Sequence, residues 1–117
     1  MKPRRADRVA EQVRQEIAIL LLHESKDPGV AGVVVTRVRL SDDLGTARVA
    51  FVQEDPARDK DETLRALARA APFLRSRLRE RLALRRTPML TFHWDDVLTE
   101  ERRVGDLLAE ISREGKS

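Results

Sequence analysis

The apolar residues of the first fifty positions recur first at helical and then at strand spacing. One helical face between about Asp7 and Glu24, with Asp7 able to cap its start, carries five apolar residues: Val9, Val13, Ile17, Leu20 and Leu21. The stretch 26–29, with the sequence KDPG, ends this helix, because proline lacks an amide donor and glycine tolerates a left-handed backbone. The β-branched runs Val33–Leu40 and Thr46–Gln53 flank a five-residue turn and predict an antiparallel hairpin.

A second helical pattern begins after the polar connection at residues 54–61. Asp59 and Glu62 have the spacing of a capping box. The pattern reaches Ala71 and meets Pro72, which inside a straight helix would remove one hydrogen bond and cost ~3 kcal/mol. We therefore predict that one helix ends at Ala71 and that another begins near Pro72, with Leu74, Leu78 and Leu82 as its inward stripe.

The last third of the chain predicts one strand and one more helix. Met89–Trp94 alternates as a strand does, and the segment from Thr99 to Arg113 is amphipathic. The order α-β-β-α-α-β-α predicts an α+β fold, in which helices pack on one face of a three-stranded sheet. We expect a single domain over residues 1–117, with a flexible basic arm at 1–6 and a flexible tail at 114–117.

Composition excludes several kinds of site. Without cysteine, the chain can form neither a disulfide framework nor a thiolate zinc site, which fits a reducing cytoplasm. We expect a cytoplasmic protein, since no apolar run approaches the ~20 residues of a membrane span and no signal peptide is evident. His23 and His93 lack the spacing of paired metal ligands, and His93 with Asp95 is at best a weak site. With no nucleophile elbow and no Walker A sequence, we expect neither catalysis nor a cofactor or metal.

Positive charge is concentrated between Arg65 and Arg86. This stretch contains eight arginines and one acidic residue, Glu80, whereas the net charge of the whole chain is only +3. Arginine at this density suits phosphate, because its guanidinium group makes bidentate and weakly hydrated contacts. Aromatic residues are scarce, so the composition favours recognition of the backbone and shape of structured RNA over base stacking.

The segment from Gly29 to Gly32 matches the GxxG pattern with which KH domains clamp a nucleic-acid backbone. In a KH domain that pattern joins two helices, whereas here it leads from a helix into a strand. We interpret it as a helix stop followed by a tight turn, and we place the KH-like break at Ala70-Ala71-Pro72 instead.

Three stretches, in their order and spacing, resemble the ribosome-binding factor A family of bacterial small-subunit assembly factors. They are RVAEQVRQEIAILLLHESKDPGV, VRLSDDLGTARVAFV and FLRSRLRERLALRRTPMLTFHWDD, and the resemblance extends from about Arg4 to Ile111. It implies a type II KH-like domain in which an interrupted helix with an Ala-x-Gly kink replaces the GxxG loop. It also implies binding to free 30S subunits and their precursors through 16S rRNA, support of late 16S rRNA processing and of growth in the cold, and no catalysis. Pro72 stands where the family has glycine, so it supplies neither a positive-φ residue nor an amide donor.

The candidate RNA site therefore combines the arginines around the break, the break itself and the basic arm: Arg65, Arg69, Ala70, Ala71, Pro72, Arg75, Arg77, Arg79, Arg81, Arg85, Arg86, Arg4 and Arg5. We expect replacement of Arg75 and Arg79 by glutamate to abolish RNA binding and to leave the melting temperature nearly unchanged. We also expect a monomer, with other assembly factors as further partners and no membrane contact. Two other functions stay open, namely a module that docks an acidic ribosomal protein or GTPase, and a hibernation or translation-regulating factor.

Overall fold

The computed structural model describes residues 5–96, which form a three-stranded sheet covered by helices on one face. Helix α1 (Arg5–Ile19) continues into a π-helical turn (Leu20–Glu24), and a 3-10 turn (Pro28–Val30) precedes the first strand. The remaining elements are β1 (Val33–Leu40), β2 (Thr46–Gln53), α2 (Lys60–Leu82) and β3 (Met89–Trp94). The bounds predicted for all three strands are confirmed. Arg4, the predicted helix from Thr99 to Arg113 and the tail lie outside the described residues.

The order of the sheet is β1-β2-β3. Strands β1 and β2 form the predicted antiparallel hairpin, whereas β3 pairs parallel to β2, from Thr46 opposite Met89 to Phe51 opposite Trp94. Parallel neighbours need a crossover connection, and α2 forms the main part of it. The basic helix is therefore the element that carries the chain from the hairpin to the third strand.

One apolar core lies between the helices and the sheet. Helix α1 contributes Val13 and Ile17, and the centre of β2 contributes Phe51. Helix α2 contributes a stripe with no solvent exposure that includes Leu67, Leu74 and Leu78. Phe51 also meets Trp94 edge to face with 5.4 Å between the ring centroids, and this contact joins the ends of β2 and β3. The inward stripe predicted at Leu74 and Leu78 is confirmed.

Helix α2 begins where the capping signal places it. The Asp59 side chain accepts a hydrogen bond from the Glu62 amide at 3.0 Å, which satisfies one of the amides left free at a helix start. The helix ends at Ala83, which adopts the left-handed conformation with φ 46°. Alanine is an uncommon residue in that conformation, since its Cβ crowds the backbone.

The prediction that the helix ends at Ala71 was wrong. Helix α2 runs without interruption from Lys60 to Leu82, and Pro72 lies in its interior. Pro72 faces solvent, so the carbonyl of residue 68 that loses its helical partner is on the exposed side of the helix. The neighbouring Ala70 and Leu74 are buried against the core. Packing on both sides of the proline thus outweighs its local cost, and the basic block is one helix instead of two.

The GxxG segment joins a helix to a strand, as the sequence interpretation has it. Asp27 caps the 3-10 turn by accepting a hydrogen bond from the Gly29 amide at 2.8 Å. Gly29 lies so close to α2 that a Cβ at this position would be 2.6 Å from the Cβ of Ala66. Gly32 has φ +82°, a conformation suited to glycine. The presence of glycine at both positions is therefore explained by the structure, and the segment packs the turn against the basic helix.

Replacing Pro72 with alanine should raise the free energy of unfolding by ~1–2 kcal/mol. A helix-interior proline costs ~3 kcal/mol relative to alanine, and the greater freedom of the unfolded alanine chain offsets part of that gain. Urea denaturation followed by circular dichroism measures the difference. Ser76→Ala, on the same exposed side of α2, is the control and should gain no more than ~0.5 kcal/mol. An unchanged or lower stability of Pro72→Ala would mean that Pro72 acts as a helix start.

Candidate nucleic-acid interface

The arginines of α2 lie along the helix in three pairs. Arg65 and Arg69 lie opposite the buried stripe, and Arg75 and Arg79 lie on one flank. Arg77 and Arg81 lie on the side that faces the first helical segment. The buried stripe fixes this rotation, since Leu67, Leu74 and Leu78 must face the sheet. The pairs predicted from helical spacing are therefore brought together as expected.

A groove of about 680 Å³ runs between α2 and the end of the first helix. One wall is formed by the turn that contains His23 and by residues 24–27, and the other by four residues of α2: Arg69, Ala70, Phe73 and Arg77. Lys26 adds a further positive charge at the rim. Its walls combine the cations Lys26, Arg69 and Arg77 with the aromatic ring of Phe73.

Arg69 crosses this groove to Asp27. Its Nη2 lies 3.2 Å from Oδ2 of Asp27, and more than half of the arginine side chain is exposed. The hydrogen bond from the Gly29 amide lowers the pKa of the Asp27 carboxyl, and the nearby Arg69 lowers that pKa further. Asp27 therefore stays ionised and holds the guanidinium of Arg69 at the mouth of the groove. Because the pair is exposed to solvent, its net attraction is weak and an incoming phosphate can replace the carboxylate.

The other flank is held by acidic side chains of the first helical segment. Arg81 contacts Glu24 and also Glu16, whose Oε2 is 3.3 Å from its Nη1. These carboxylates, Glu24 before Glu16, raise the pKa of Arg81. Arg77 pairs with Glu80 at 3.2 Å within α2. Arg77 and Arg81 thus have internal partners, and Arg81 ties α2 to both parts of the first helix.

Phe73 was missed as a candidate. It is half-buried on the wall of the groove, and the guanidinium of Arg77 lies 5.4 Å from its ring centroid. A half-exposed ring beside cations offers a surface on which a base can stack. The sequence shows this aromatic residue next to Pro72, but the scarcity of aromatic residues favoured backbone recognition over stacking, and Phe73 was therefore not included among the candidates.

Arg75 and Arg79 hold the segment that leads into β3. Arg75 is half-buried, and its Nε and Nη2 donate hydrogen bonds to the carbonyl oxygens of Pro88 at 3.0 Å and of Thr87 at 3.2 Å. Arg79 donates to the Thr87 hydroxyl at 3.2 Å. The hydrogen bonds of Arg75 argue against an unchanged melting temperature after this pair is replaced with glutamate, because Arg75 satisfies two backbone acceptors. Arg79, which is exposed, stays available to an external anion.

The remaining candidates differ in their surroundings. Arg65 and Arg85 are exposed, and neither makes a hydrogen bond or ion pair with another residue of the range 5–96. Arg86 lies close enough to Asp43 to lower the pKa of that carboxyl, after the larger effects of the Ser41 hydroxyl and the Gly45 amide. Arg5 is the first residue of α1 instead of part of an arm.

Of the three residues of the predicted break, Ala70 lines the groove, whereas Ala71 and Pro72 do not. Ala70 is buried, Ala71 is half-buried and Pro72 is exposed. Because they belong to a continuous helix, their backbone is occupied by helical hydrogen bonds and presents no loop to a ligand. The backbone chemistry of a KH loop is therefore missing here, and any recognition at this position falls to the neighbouring side chains.

His93 and Asp95 do not converge on a common point. The Asp95 carboxylate accepts hydrogen bonds from the Thr36 hydroxyl and from Arg37, and Nε2 of His93 lies 3.0 Å from the Thr91 hydroxyl. Over the described range, no three side chains of the histidine, aspartate and glutamate types form a group that could hold a metal.

Comparison with known proteins identifies the family. The sequence profile of ribosome-binding factor A matches residues 5–108. The chain belongs to the ribosome-binding factor A family. The Syntrophus aciditrophicus protein of that name is 44% identical over 111 residues, which cover 95% of this chain and 90% of that protein.

Solved structures of the family share the fold. The crystal structure of ribosome-binding factor A from Thermus thermophilus is 30% identical, with a TM-score of 0.67 over 75% of this chain and 93% of that one. Coordinates of the Thermus thermophilus factor fitted into a cryo-EM map of its complex with the 30S subunit match with a TM-score of 0.62 at 30% identity, over 74% of this chain and 91% of that one. The α+β, KH-like fold predicted from the sequence is confirmed. Within residues 5–96, no helix combines the length and the apolar character needed to cross a bilayer.

Replacing Arg75 with alanine should lower the free energy of unfolding by ~2 kcal/mol, because two backbone acceptors lose a charged donor. Chemical denaturation measures this change. Arg65→Ala removes the same charge from an exposed site of the same helix and should stay within ~0.5 kcal/mol of the wild type. Equal stability of the two variants would show that Arg75 does not hold the segment before β3.

Proposed function

We propose that this member of the ribosome-binding factor A family binds the 30S ribosomal subunit through 16S rRNA, using the groove and the arginines of α2. The observation that carries the proposal is the continuous cationic side of α2 beside a groove that contains a stackable ring. The Thermus thermophilus relative fitted into a 30S complex supports the identity of the partner. The groove and the exposed side of α2 form the interaction site. Arg69 and Arg77 are the arginines of the groove, and Arg65 and Arg79 lie beside it on α2.

Recognition proceeds by exchange of anions. In the free protein, Asp27 and Glu80 neutralise Arg69 and Arg77 across exposed contacts. Phosphate oxygens of the rRNA take the place of these carboxylates, since an exposed pair contributes little stability and a phosphate offers the same bidentate geometry. Arg65 and Arg85 have no carboxylate partner among residues 5–96, so a phosphate can bind them without displacing one. This mode reads the position of phosphates and the shape of the RNA, with little reading of base sequence.

The biological role follows from the protein remaining bound to its rRNA site. The protein holds immature 16S rRNA on free 30S subunits and their precursors, supports late 16S processing and growth in the cold, and is displaced by later steps. It acts in the cytoplasm as a monomeric single domain, together with other assembly factors. It has no catalytic activity and needs no cofactor.

One observation favours a second candidate function. The groove arginines Arg69 and Arg77 already pair with carboxylates, so an acidic ribosomal protein or GTPase could dock there without RNA contact. Co-sedimentation with 30S subunits before and after nuclease treatment separates the two. Loss of co-sedimentation after nuclease treatment indicates RNA, and persistence on isolated ribosomal protein indicates a protein partner.

The logarithm of the affinity for 16S rRNA fragments should fall linearly with the logarithm of salt concentration, and Arg65→Ala should reduce the magnitude of that slope by about 0.7–0.9. Fluorescence anisotropy over a salt series measures the slope. Arg8→Ala removes one exposed arginine from α1 and should leave the slope unchanged. Equal slopes for Arg65→Ala and the wild type would remove Arg65 from the site.

Asp27→Asn keeps an oxygen that caps the turn but releases Arg69, so this variant should bind 16S rRNA fragments more tightly than the wild type at low salt.

Deletion of the gene should shift sucrose-gradient profiles toward free subunits and should leave 16S rRNA with an unprocessed 5′ end. Mapping that 5′ end tests the assembly role directly. A hibernation or translation-regulating factor predicts the opposite pattern, with mature 16S ends and a change in the ratio of idle to translating ribosomes.

A further inference from the structure

A second cationic surface lies on the outer face of the sheet, which we define as the face turned away from α1 and α2. Three arginines project there, namely Arg37, Arg39 and Arg48, and all are exposed. Arg39 pairs directly opposite Arg48, and Ala50 separates Arg37 from His93 on the neighbouring strand. Together with Trp94, Asp95 and Asp96 they line a shallow concavity of about 280 Å³.

A β-bulge is what turns two of these arginines outward. Val35 pairs with the inward-facing Phe51, and the register then shifts so that Arg37 pairs with the outward-facing Ala50. Thr36 is the additional residue at this bulge. Without the bulge, the alternation of the strand would direct Arg37 and Arg39 toward the core. The irregularity in β1 therefore creates the outer cationic face.

This arrangement costs the sheet stability unless an anion is present. Like charges directly opposite each other on adjacent strands are destabilising. Neither Arg39 nor Arg48 has a carboxylate within 4.0 Å among residues 5–96, whereas Arg37 does pair with the buried Asp95 at 3.3 Å. The core accounts for the inward residues of these strands, but nothing in the described fold accounts for two facing guanidinium groups.

The geometry points to a sugar–phosphate backbone as the missing anion. Arg37 and Arg39 are two residues apart on one strand, which separates them by about 6.7 Å, a spacing comparable to that of successive phosphates. Trp94 lines one end of the concavity, but its ring packs against Phe51. Among the described residues, the centre of the outer face therefore lacks the aromatic anchors of a protein interface. The small side chain of Ala50 lies beside the arginines and leaves room for close approach.

We propose that the outer face of the sheet binds the backbone of a second 16S rRNA segment, different from the one that occupies the groove. This inference rests on the proposed function, because it assumes that the groove faces rRNA. The two surfaces lie on opposite sides of the sheet, so one short run of phosphates cannot reach both. The protein then bridges two rRNA segments, and its bound position defines the distance between them.

The double variant Arg39→Thr with Arg48→Thr tests the surface by affinity. Threonine is favoured in strands, and removal of the facing charges relieves repulsion, so the melting temperature should stay equal or rise. Affinity for 30S subunits should fall, and the magnitude of the salt slope should decrease by about 1.4–1.8. The affinity and the salt slope of the wild type and of the Arg65→Ala variant are measured in parallel. A weakened Arg65→Ala variant with an unaffected double variant overturns this inference alone, and a wild type that does not bind rRNA at all overturns the proposed function as well.

Tethered cleavage tests the position of the surface. The chain contains no cysteine, so single cysteines can carry an iron chelate that cuts nearby RNA. Thr91→Cys reports from the outer face and Ser76→Cys from α2. Cleavage of two different 16S rRNA segments by the two probes supports the bridge. Cuts from Ser76→Cys only, or cuts in the same rRNA segment from both positions, overturn the bridge. The bridge is also overturned if the Arg39→Thr, Arg48→Thr double variant loses affinity for an isolated ribosomal protein but not for rRNA.

Discussion

Burial of one stripe of α2 against the sheet determines where every arginine of that helix can lie. Leu67, Leu74 and Leu78 are completely enclosed, and together with the smaller residues of the same stripe they leave α2 one rotational setting. The charged residues must then occupy the remaining arc. A rigid apolar contact on one side of the helix therefore positions the cations on the other side, without a loop or a metal to hold them. It also keeps the helix continuous through Pro72.

The arginines of α2 do not form a uniform cationic surface. Some are balanced by carboxylates, such as Glu24 at the end of the first helical segment and Asp27 before the 3-10 turn, and Arg75 is engaged with backbone oxygens. Others have no internal partner in the described part of the chain. The surface therefore combines cations that are immediately available with cations that are held in position and released only to a competing anion. Such a division favours ligands with many regularly spaced negative charges over single acidic side chains.

Local signals in the sequence predicted local structure well. The strands and the Asp59 cap were found because β-branched runs and capping residues act over a few positions. The break at Pro72 was predicted wrongly, because the local cost of proline is smaller than the packing that surrounds it. The hydrogen bonds of Arg75 could not be foreseen, since they depend on how the Thr87-Pro88 segment returns to α2. The candidate site shows the same division. Helical spacing grouped the arginines into rows, but it could not show which rows meet acidic residues distant in sequence, such as Glu16.

The parallel pairing of β2 with β3 imposes an order on folding. The hairpin of β1 and β2 can form from neighbouring residues, but β3 reaches its place only after the chain has passed through α2. Long-range pairing of this kind is slower than closure of a hairpin. During synthesis, the third strand leaves the ribosome last of the described elements, so the sheet is completed only in a late step. A nascent chain that stops before β3 would leave one edge of β2 unpaired.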